Sequence, residues 1–184
     1  MSFEKQVDSN IMLNIVKLED AEELFSLVDL SRNYLRKWLP WVDSNTTSKD
    51  TKEFIVSARQ QYAENRGFHC CIRYQTKIAG IVGFHYIDWR SQTAELAYWL
   101  GEQYQGLGLM TKCCYSLTDY AFKDLDLNRV EILPNNSKSC AIPERLGFTQ
   151  ERIIPNAEWV SDRFVDNIVY SMSRKDWHRR VENY

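Results

Sequence analysis

The chain has 184 residues, enough for one domain around a single buried core. Hydrophobic residues make up 44%, aromatic residues 13% and charged residues 26%, a globular composition that excludes disordered and collagen-like chains. The net charge of −2 gives the whole protein no attraction for nucleic acid. The most continuous apolar run, Ile78–Phe84, is far shorter than the roughly 20 residues of a membrane span, and the start of the chain is charged where a signal peptide is apolar. We therefore expect a soluble, cytoplasmic protein that binds neither nucleic acid nor a membrane.

The cysteines and histidines show none of the spacings that zinc sites or redox pairs require. The five cysteines are an odd number without a C-x-x-C pair, and the three histidines are scattered. We expect the cysteines to be buried, reduced thiols, and we predict no metal site. The residues concerned are Cys70, Cys71, Cys113, Cys114, Cys140, His69, His85 and His178.

The first half of the chain is predicted to form a strand, two helices and three further strands. Ile11–Val16 is the first strand. Asp20 caps the first helix, whose apolar pattern stops at Pro40, and Ser48 caps the second helix. The next three runs form an antiparallel meander: Phe68–Tyr74, Ile78–Tyr86 and Ala94–Leu100.

The second half alternates helices with strands. Its predicted elements are the helix Leu109–Phe122, the strand Arg129–Leu133, the helix Ser137–Leu146 and a hairpin of Ala157–Val160 and Phe164–Met172. The basic run Arg174–Arg180 is interpreted as a solvated end. The order β-α-α-β-β-β-α-β-α-β-β predicts one α/β (α+β) domain over residues 1–184, with a mixed, mostly antiparallel central sheet flanked by helices.

The most informative segment is the turn Tyr104–Thr111, which follows a predicted strand and opens a predicted helix. Gly106 and Gly108 allow a tight turn and the close approach of a ligand to the backbone. The first N–H groups of a helix are unpaired, and together with the helix dipole they form a site for phosphate oxygens. A Walker loop is absent, and the third glycine of a dinucleotide-binding turn is missing. A glycine-containing loop without a ligand is the alternative.

Five segments together resemble the GNAT superfamily of acetyl-CoA-dependent N-acetyltransferases. Gln105–Met110 matches its signature Gln/Arg-x-x-Gly-x-Gly/Ala except at Met110, whose larger side chain we expect to point into the helix interior. Asn136–Phe148 is similar to the family's segment that begins with Asn-x-x-Ser and ends with Gly-Phe. Three more segments resemble the branch that acetylates the N-termini of ribosomal proteins: Leu35–Trp41, Glu95–Leu100 and Ala157–Tyr170.

The resemblance implies acetyl-CoA as the cosubstrate. The N–H groups of Leu107 to Thr111 would hold its pyrophosphate. The backbone near Trp99 and Leu100 would pair with the pantetheine arm, which enters where the family's fourth and fifth strands splay apart. Asn136 would hydrogen-bond the arm, or it would serve only as a loop or cap residue. The implied cofactor-binding residues are Trp99, Leu100, Gln105, Gly106, Leu107, Gly108, Leu109, Met110, Thr111 and Asn136.

The same resemblance assigns the chemistry of acetyl transfer. It implies that Glu158 is the base that takes the amine's proton, and that Ser139 is the acid that protonates the departing thiolate. Glu95 is the other candidate base. Trp38, Trp41 and Glu95 are the candidate acceptor-binding residues, with buried anchoring as the alternative for the two tryptophans. An ordinary helix residue and a solvated strand residue are the alternatives for Ser139 and Glu158.

We therefore expect an acetyl-CoA-dependent N-acetyltransferase that acts on the N-terminal α-amine of a protein, such as a ribosomal protein beginning with Ser or Ala. The alternative acceptor is a small amine, such as a polyamine, an aminoglycoside or an aminoacyl compound. The alternative class is a sensor that binds acetyl-CoA without turnover. The resemblance, together with 6 Trp and 10 Tyr residues, also favours a homodimer.

Overall fold

The computed structural model of the protein describes residues 3–182, and it confirms the predicted fold class. Within these residues, eight strands form one mixed sheet in the order β1-β2-β3-β4-β5-β6-β8-β7. All neighbouring strands are antiparallel except β5 and β6, which run parallel. The strands are β1 (Glu4–Asp8), β2 (Ile11–Ile15), β3 (Phe68–Tyr74), β4 (Lys77–Asp88), β5 (Thr93–Leu100), β6 (Arg129–Ile132), β7 (Thr149–Val160) and β8 (Arg163–Ser173).

Helices cover both faces of the sheet. The helices of the described chain are α1 (Ala21–Leu30), α2 (Arg32–Leu35), α3 (Ser48–Ala63), α4 (Leu109–Lys123), α5 (Ser137–Arg145) and α6 (Arg174–Val181). Because side chains alternate along a strand, β3 sends Cys71 to the core under α1 and α3, and it sends Cys70 and Ile72 to the core under α4. α5 and α6 complete this second core with the buried Cys140 and Trp177.

The first helical region is broken at Ser31, where a single helix is predicted. α1 ends at Leu30 and the chain restarts as α2. Ser31 is fully buried, and its hydroxyl accepts a hydrogen bond from the N–H of Glu102 (3.0 Å). This contact joins residues far apart in the sequence, so the local apolar pattern does not reveal it.

Both predicted helix caps are corrected by the structure. Asp20 makes no side-chain cap to α1, because its buried carboxylate accepts from the N–H of Lys17 (2.8 Å) and pairs with Arg73 (2.5 Å). The N-cap of α3 is Thr47 rather than Ser48. Thr47 and Asp50 form a reciprocal capping box there, which satisfies a backbone N–H at each position.

Two elements at the ends of the described chain are not predicted from the sequence. The short edge strand β1 pairs only with β2. The basic run Arg174–Arg180 is not a solvated end, because it forms α6 and buries Trp177 completely. The Trp177 indole N–H donates to Asp119 of α4 (3.1 Å). One buried indole among basic residues is too sparse a pattern to indicate an amphipathic helix.

All five cysteines are buried and free, as predicted. Burial raises the pKa of Cys70 and Cys114, so both thiols stay protonated near neutral pH. Within residues 3–182, no group of three or more His, Cys, Asp or Glu side chains is placed to hold a metal ion. The helices described there include none long and apolar enough to span a membrane.

Trp177→Ala should lower the free energy of unfolding by about 3–5 kcal/mol, because it empties a fully buried site. Trp89→Ala is the matched control, since Trp89 is 40% exposed. We expect the control to lose less than about 1.5 kcal/mol. Urea unfolding followed by circular dichroism checks both values, and equal losses would show that α6 contributes little to the core.

Candidate active site

The cleft begins where β5 and β6 separate. The two strands pair over only three positions, which end at Glu95 opposite Glu131. Beyond this point β5 stays paired with β4 as far as Leu100. The chain after β6 follows β8 instead, because the carbonyl of Pro134 accepts a hydrogen bond from the N–H of Ile168 (3.0 Å). The splay that the family resemblance implies is therefore present.

This wedge opens into a cleft of about 940 Å³. Within the described residues, no strand pairs with the exposed edge of β5 from Leu96 to Leu100. An unpaired strand edge presents N–H and C=O groups that a ligand can use. Tyr98 lines this cleft, and its hydroxyl donates a hydrogen bond to the carbonyl of Ser139 (3.0 Å), which joins β5 to α5. Burial raises the pKa of Tyr98, which keeps this hydroxyl a donor.

The glycine turn lies at one end of the cleft. Gly106 and Gly108 have φ values of 75° and 71°, the left-handed region that favours glycine. A Cβ atom added at either position would meet no atom within 4 Å. Packing therefore does not require these glycines. They give the backbone its conformation, and they leave open space beside it for a ligand.

Unpaired N–H groups and two basic side chains surround this turn. Gly108 is the N-cap of α4, and its carbonyl accepts the first helical hydrogen bond from the N–H of Lys112 (3.2 Å). The preceding N–H groups of Leu109 to Thr111 therefore have no acceptor within the helix. Lys138 contacts the Gln105 side chain (Nζ to Oε1, 3.0 Å), and Arg145 contacts Thr111 (Nη1 to Oγ1, 3.0 Å). This arrangement suits the phosphates of a nucleotide-like ligand.

Most of the predicted cofactor-binding residues lie along the cleft. Trp99, Leu100, Gln105, Gly106, Gly108, Leu109, Met110, Thr111 and Asn136 line it. Leu107 does not line it, because its side chain is half exposed at the tip of the turn. Met110 is 5% exposed, so its side chain does point inward as expected. Asn136 caps α5, since its Oδ1 accepts from the N–H of Ser139 (3.0 Å).

Away from the glycine turn, the cleft combines carboxylates with aromatic rings. Glu95 lies where β5 and β6 separate, and Glu158, Trp38 and Trp41 line the same cleft, as does Ser139. The Trp41 ring lies 5.8 Å from that of Trp99, at 56°. The predicted catalytic and acceptor-binding residues thus lie in one cleft, which the sequence alone does not show because they come from four separate segments.

Burial and neighbouring charges perturb Glu95. Burial raises the pKa of this carboxyl, and the carboxylates of Glu131 and Glu158 raise it further. His85 acts in the opposite direction. A half-buried carboxyl with a raised pKa is a suitable proton acceptor close to neutral pH.

Several cleft residues escape the sequence reasoning. Asn135 donates its side-chain amide to the carbonyl of Trp38 (3.0 Å) and contacts Glu158 (Nδ2 to Oε2, 3.5 Å), which links these two cleft residues. Lys138 and Arg145 belong to the predicted helix Ser137–Leu146, but no sequence pattern shows that this helix packs beside the glycine turn. His85 has no sequence signal of its own, because its place in the cleft depends on strand register.

Residues 10–149 match the sequence profile of the acetyltransferase (GNAT) domain. The chain belongs to the GNAT acetyltransferase family. It is therefore an N-acetyltransferase by family, as the resemblance implies. The family uses acetyl-CoA, and the unpaired N–H groups, the open glycine turn and the free edge of β5 fit that cosubstrate.

Individual relatives match the chain over nearly its whole length. The Bacillus subtilis protein YdaF, whose name carries a provisional assignment as a ribosomal N-acetyltransferase, is 32% identical over 95% of this chain and 97% of its own. The Escherichia coli ribosomal-protein-serine acetyltransferase is 23% identical, with 90% and 94% covered. The structure of the microcin C7 self-immunity acetyltransferase MccE with acetyl-CoA and AMP superposes with a TM-score of 0.86 at 31% identity, covering 91% of this chain and 94% of that one.

Gly108→Asp should weaken acetyl-CoA binding by at least about tenfold, or about 1.4 kcal/mol, because it adds a negative charge beside the phosphate-binding N–H groups. Gly108→Asn is the matched control, since Asn has a similar size, tolerates the left-handed region and carries no charge. Calorimetric titration with acetyl-CoA measures both affinities. Wild-type affinity in the Asp variant would place the phosphate site elsewhere.

Proposed function

We propose that the protein transfers the acetyl group of acetyl-CoA to the N-terminal α-amine of a protein, such as a ribosomal protein that begins with Ser or Ala. The observation that carries the proposal is the joint presence of Glu158, Glu95 and Ser139 in the cleft beside the free edge of β5. The carboxylates attract a cationic acceptor, and the cleft is open enough to admit a chain end. Relatives named for ribosomal-protein acetylation in two bacteria support this acceptor class.

Glu158 and Ser139 have complementary roles in the proposed reaction. Acetyl-CoA supplies an acetyl group activated as a thioester. As the amine nitrogen forms its bond to the carbonyl carbon and the carbon–sulfur bond breaks, Glu158 takes a proton from that nitrogen. Ser139 donates a proton to the thiolate, which has a pKa near 8.5 and leaves with modest help, and the Ser139 oxygen takes a proton back from solvent in the same step. Among the described residues 3–182 the Ser139 hydroxyl has no hydrogen-bond partner, because the bonds from Tyr98 and to Asn136 use its backbone.

A small aminoacyl compound is the second candidate acceptor. The aromatic wall of Trp38, Trp41 and Trp99 favours it, since such rings can stack on a planar group. The similarity to MccE, whose structure contains AMP, points the same way. Acetylation of N-terminal Ser peptides, polyamines, aminoglycosides and aminoacyl adenylate analogues, compared under one condition, distinguishes these acceptors. A protein that binds acetyl-CoA but releases no free thiol with any of them would be a sensor.

A ribosomal-protein acceptor would place the protein in the cytoplasm, and we also propose that it forms a homodimer. Ile153, Trp159 and Phe164 are more than half exposed on the hairpin of β7 and β8. The Trp159 and Phe164 rings pack edge to face at 4.9 Å, and exposed aromatic groups of this kind are common at interfaces. Sedimentation velocity at micromolar concentration should show twice the chain mass, and a single-chain mass would contradict the proposal.

Glu158→Gln should lower kcat on the order of 10²–10⁴-fold, because the amide keeps the shape of the carboxyl but cannot take the proton. The acetyl-CoA affinity should stay within about twofold of wild type, since Glu158 lies at the acceptor end. Ser139→Ala should cost less than Glu158→Gln. Initial rates with an N-terminal Ser peptide and thiol detection measure all three proteins.

Glu102→Gln is the matched control, since this exposed glutamate precedes α4 and does not line the cleft. It should leave kcat unchanged. Near wild-type kcat in Glu158→Gln at pH 7 would show that another group is the base. Glu95→Gln would then be the next variant to measure.

A further inference from the structure

A bulge in β4 decides which side chains reach the acceptor end of the cleft. The β4–β5 register shifts between Phe84 and Tyr86, which leaves His85 as an extra residue without a partner on β5. Gln61 of α3 fixes the bulge by donating its side-chain amide to the carbonyl of His85 (2.6 Å). Bulges redirect side chains and are frequent beside active sites.

The bulge brings an exposed imidazole next to a half-buried carboxyl. Phe84 packs in the core on the α4 side, whereas Tyr86 is the cross-strand neighbour of Glu95. His85 lines the cleft together with Glu95, but its own side chain is exposed to solvent. One side chain therefore reaches both the acceptor end of the cleft and bulk water.

Charged groups on β4, β6 and β7 act on the pKa of Glu95 in opposite directions. Glu131 of β6 and Glu158 of β7 raise its pKa beyond the effect of burial, and the positive charge of His85 lowers it. Glu131 is itself paired with Arg129 (2.8 Å). The negative charges of these two carboxylates therefore favour the protonated form of Glu95. The imidazole of His85, on β4, lies on the other side of β5 from Glu131.

A second histidine near His85, His69, does not compete for this proton. The His69 ring on β3 lies 6.2 Å from the His85 ring. Burial lowers the pKa of His69 to about 4, so its imidazole stays neutral at physiological pH. His69 also packs against Phe54 of α3, which is a structural role.

Acetylation of an α-ammonium group requires the loss of two protons. The nitrogen must lose one proton before its lone pair can attack, and it loses another as the amide forms. In the proposed function, Glu158 takes the second proton. An α-amine has a pKa near 7.7–8.0, so below pH 7.5 most acceptor molecules arrive protonated and need a first proton acceptor as well.

We propose that His85 is the proton outlet of the acceptor site, through which the proton that Glu95 takes from the acceptor ammonium reaches solvent. An N–H bond of the ammonium breaks, an O–H bond forms on Glu95, and the neutral amine keeps the electron pair. The proton then moves from Glu95 to a ring nitrogen of His85, directly or through one water, and the imidazolium releases it to bulk water. This inference rests on the proposed function, and it makes His85 a relay residue rather than a second base.

The test compares His85→Gln with His178→Gln, an exposed histidine on α6 outside the cleft. The readout is kcat/KM for an N-terminal Ser peptide from pH 6 to pH 9. His85→Gln should lose about tenfold near pH 6.5 and little at pH 9, where the amine is already neutral. His178→Gln should match wild type throughout. Free imidazole should restore part of the rate of His85→Ala at pH 6.5.

A second readout does not depend on turnover. The titration of the Glu95 carboxyl carbon is followed by NMR in the free protein, with Glu95→Gln used to assign the signal. Loss of the positive charge in His85→Gln should move the Glu95 midpoint to higher pH, because that charge stabilises the carboxylate.

An active wild type whose His85→Gln variant keeps the same pH profile, or an unmoved Glu95 midpoint, would overturn the relay alone. A wild type that acetylates no α-amine would overturn the proposed function and the relay with it.

Discussion

The three-residue pairing of β5 with β6 is the constraint on which the site depends. Past Glu95, β5 keeps its hydrogen bonds to β4 while the chain after β6 keeps one to β8. The backbone edge from Leu96 to Leu100 is therefore left for a ligand, because buried N–H and C=O groups require partners. If the two strands paired along their full length, the sheet would be continuous and the cleft of about 940 Å³ would close.

The two ends of the cleft carry opposite charge. Unpaired N–H groups at the start of α4 lie at one end with Lys138 and Arg145, and they favour the phosphates of acetyl-CoA. Glu95 and Glu158 lie at the other end and favour a cationic amine. In the proposed reaction, this separation of charge would bring the amine to the thioester in one orientation.

Local patterns in the sequence predict most of this fold, because periodicity and turn residues act over a few positions. The meander β3–β5, the helix α4 and the glycine turn all follow from such patterns. The break at Ser31 and the burial of Trp177 do not, since each depends on a partner distant in the sequence. Within the site, motif resemblance suggests Glu158 and Ser139, which both line the cleft, whereas the position of His85 depends on a register shift that no motif records.

A crystal structure of the protein with acetyl-CoA tests the central claim most directly, because that claim concerns where the cosubstrate finds its hydrogen-bond partners. The account predicts pantetheine amides bonded to the β5 backbone between Leu96 and Leu100, and a pyrophosphate within hydrogen-bond distance of the N–H groups of residues 107–111. Acetyl-CoA bound elsewhere, or β6 paired with β5 beyond Glu95 in the complex, would contradict it.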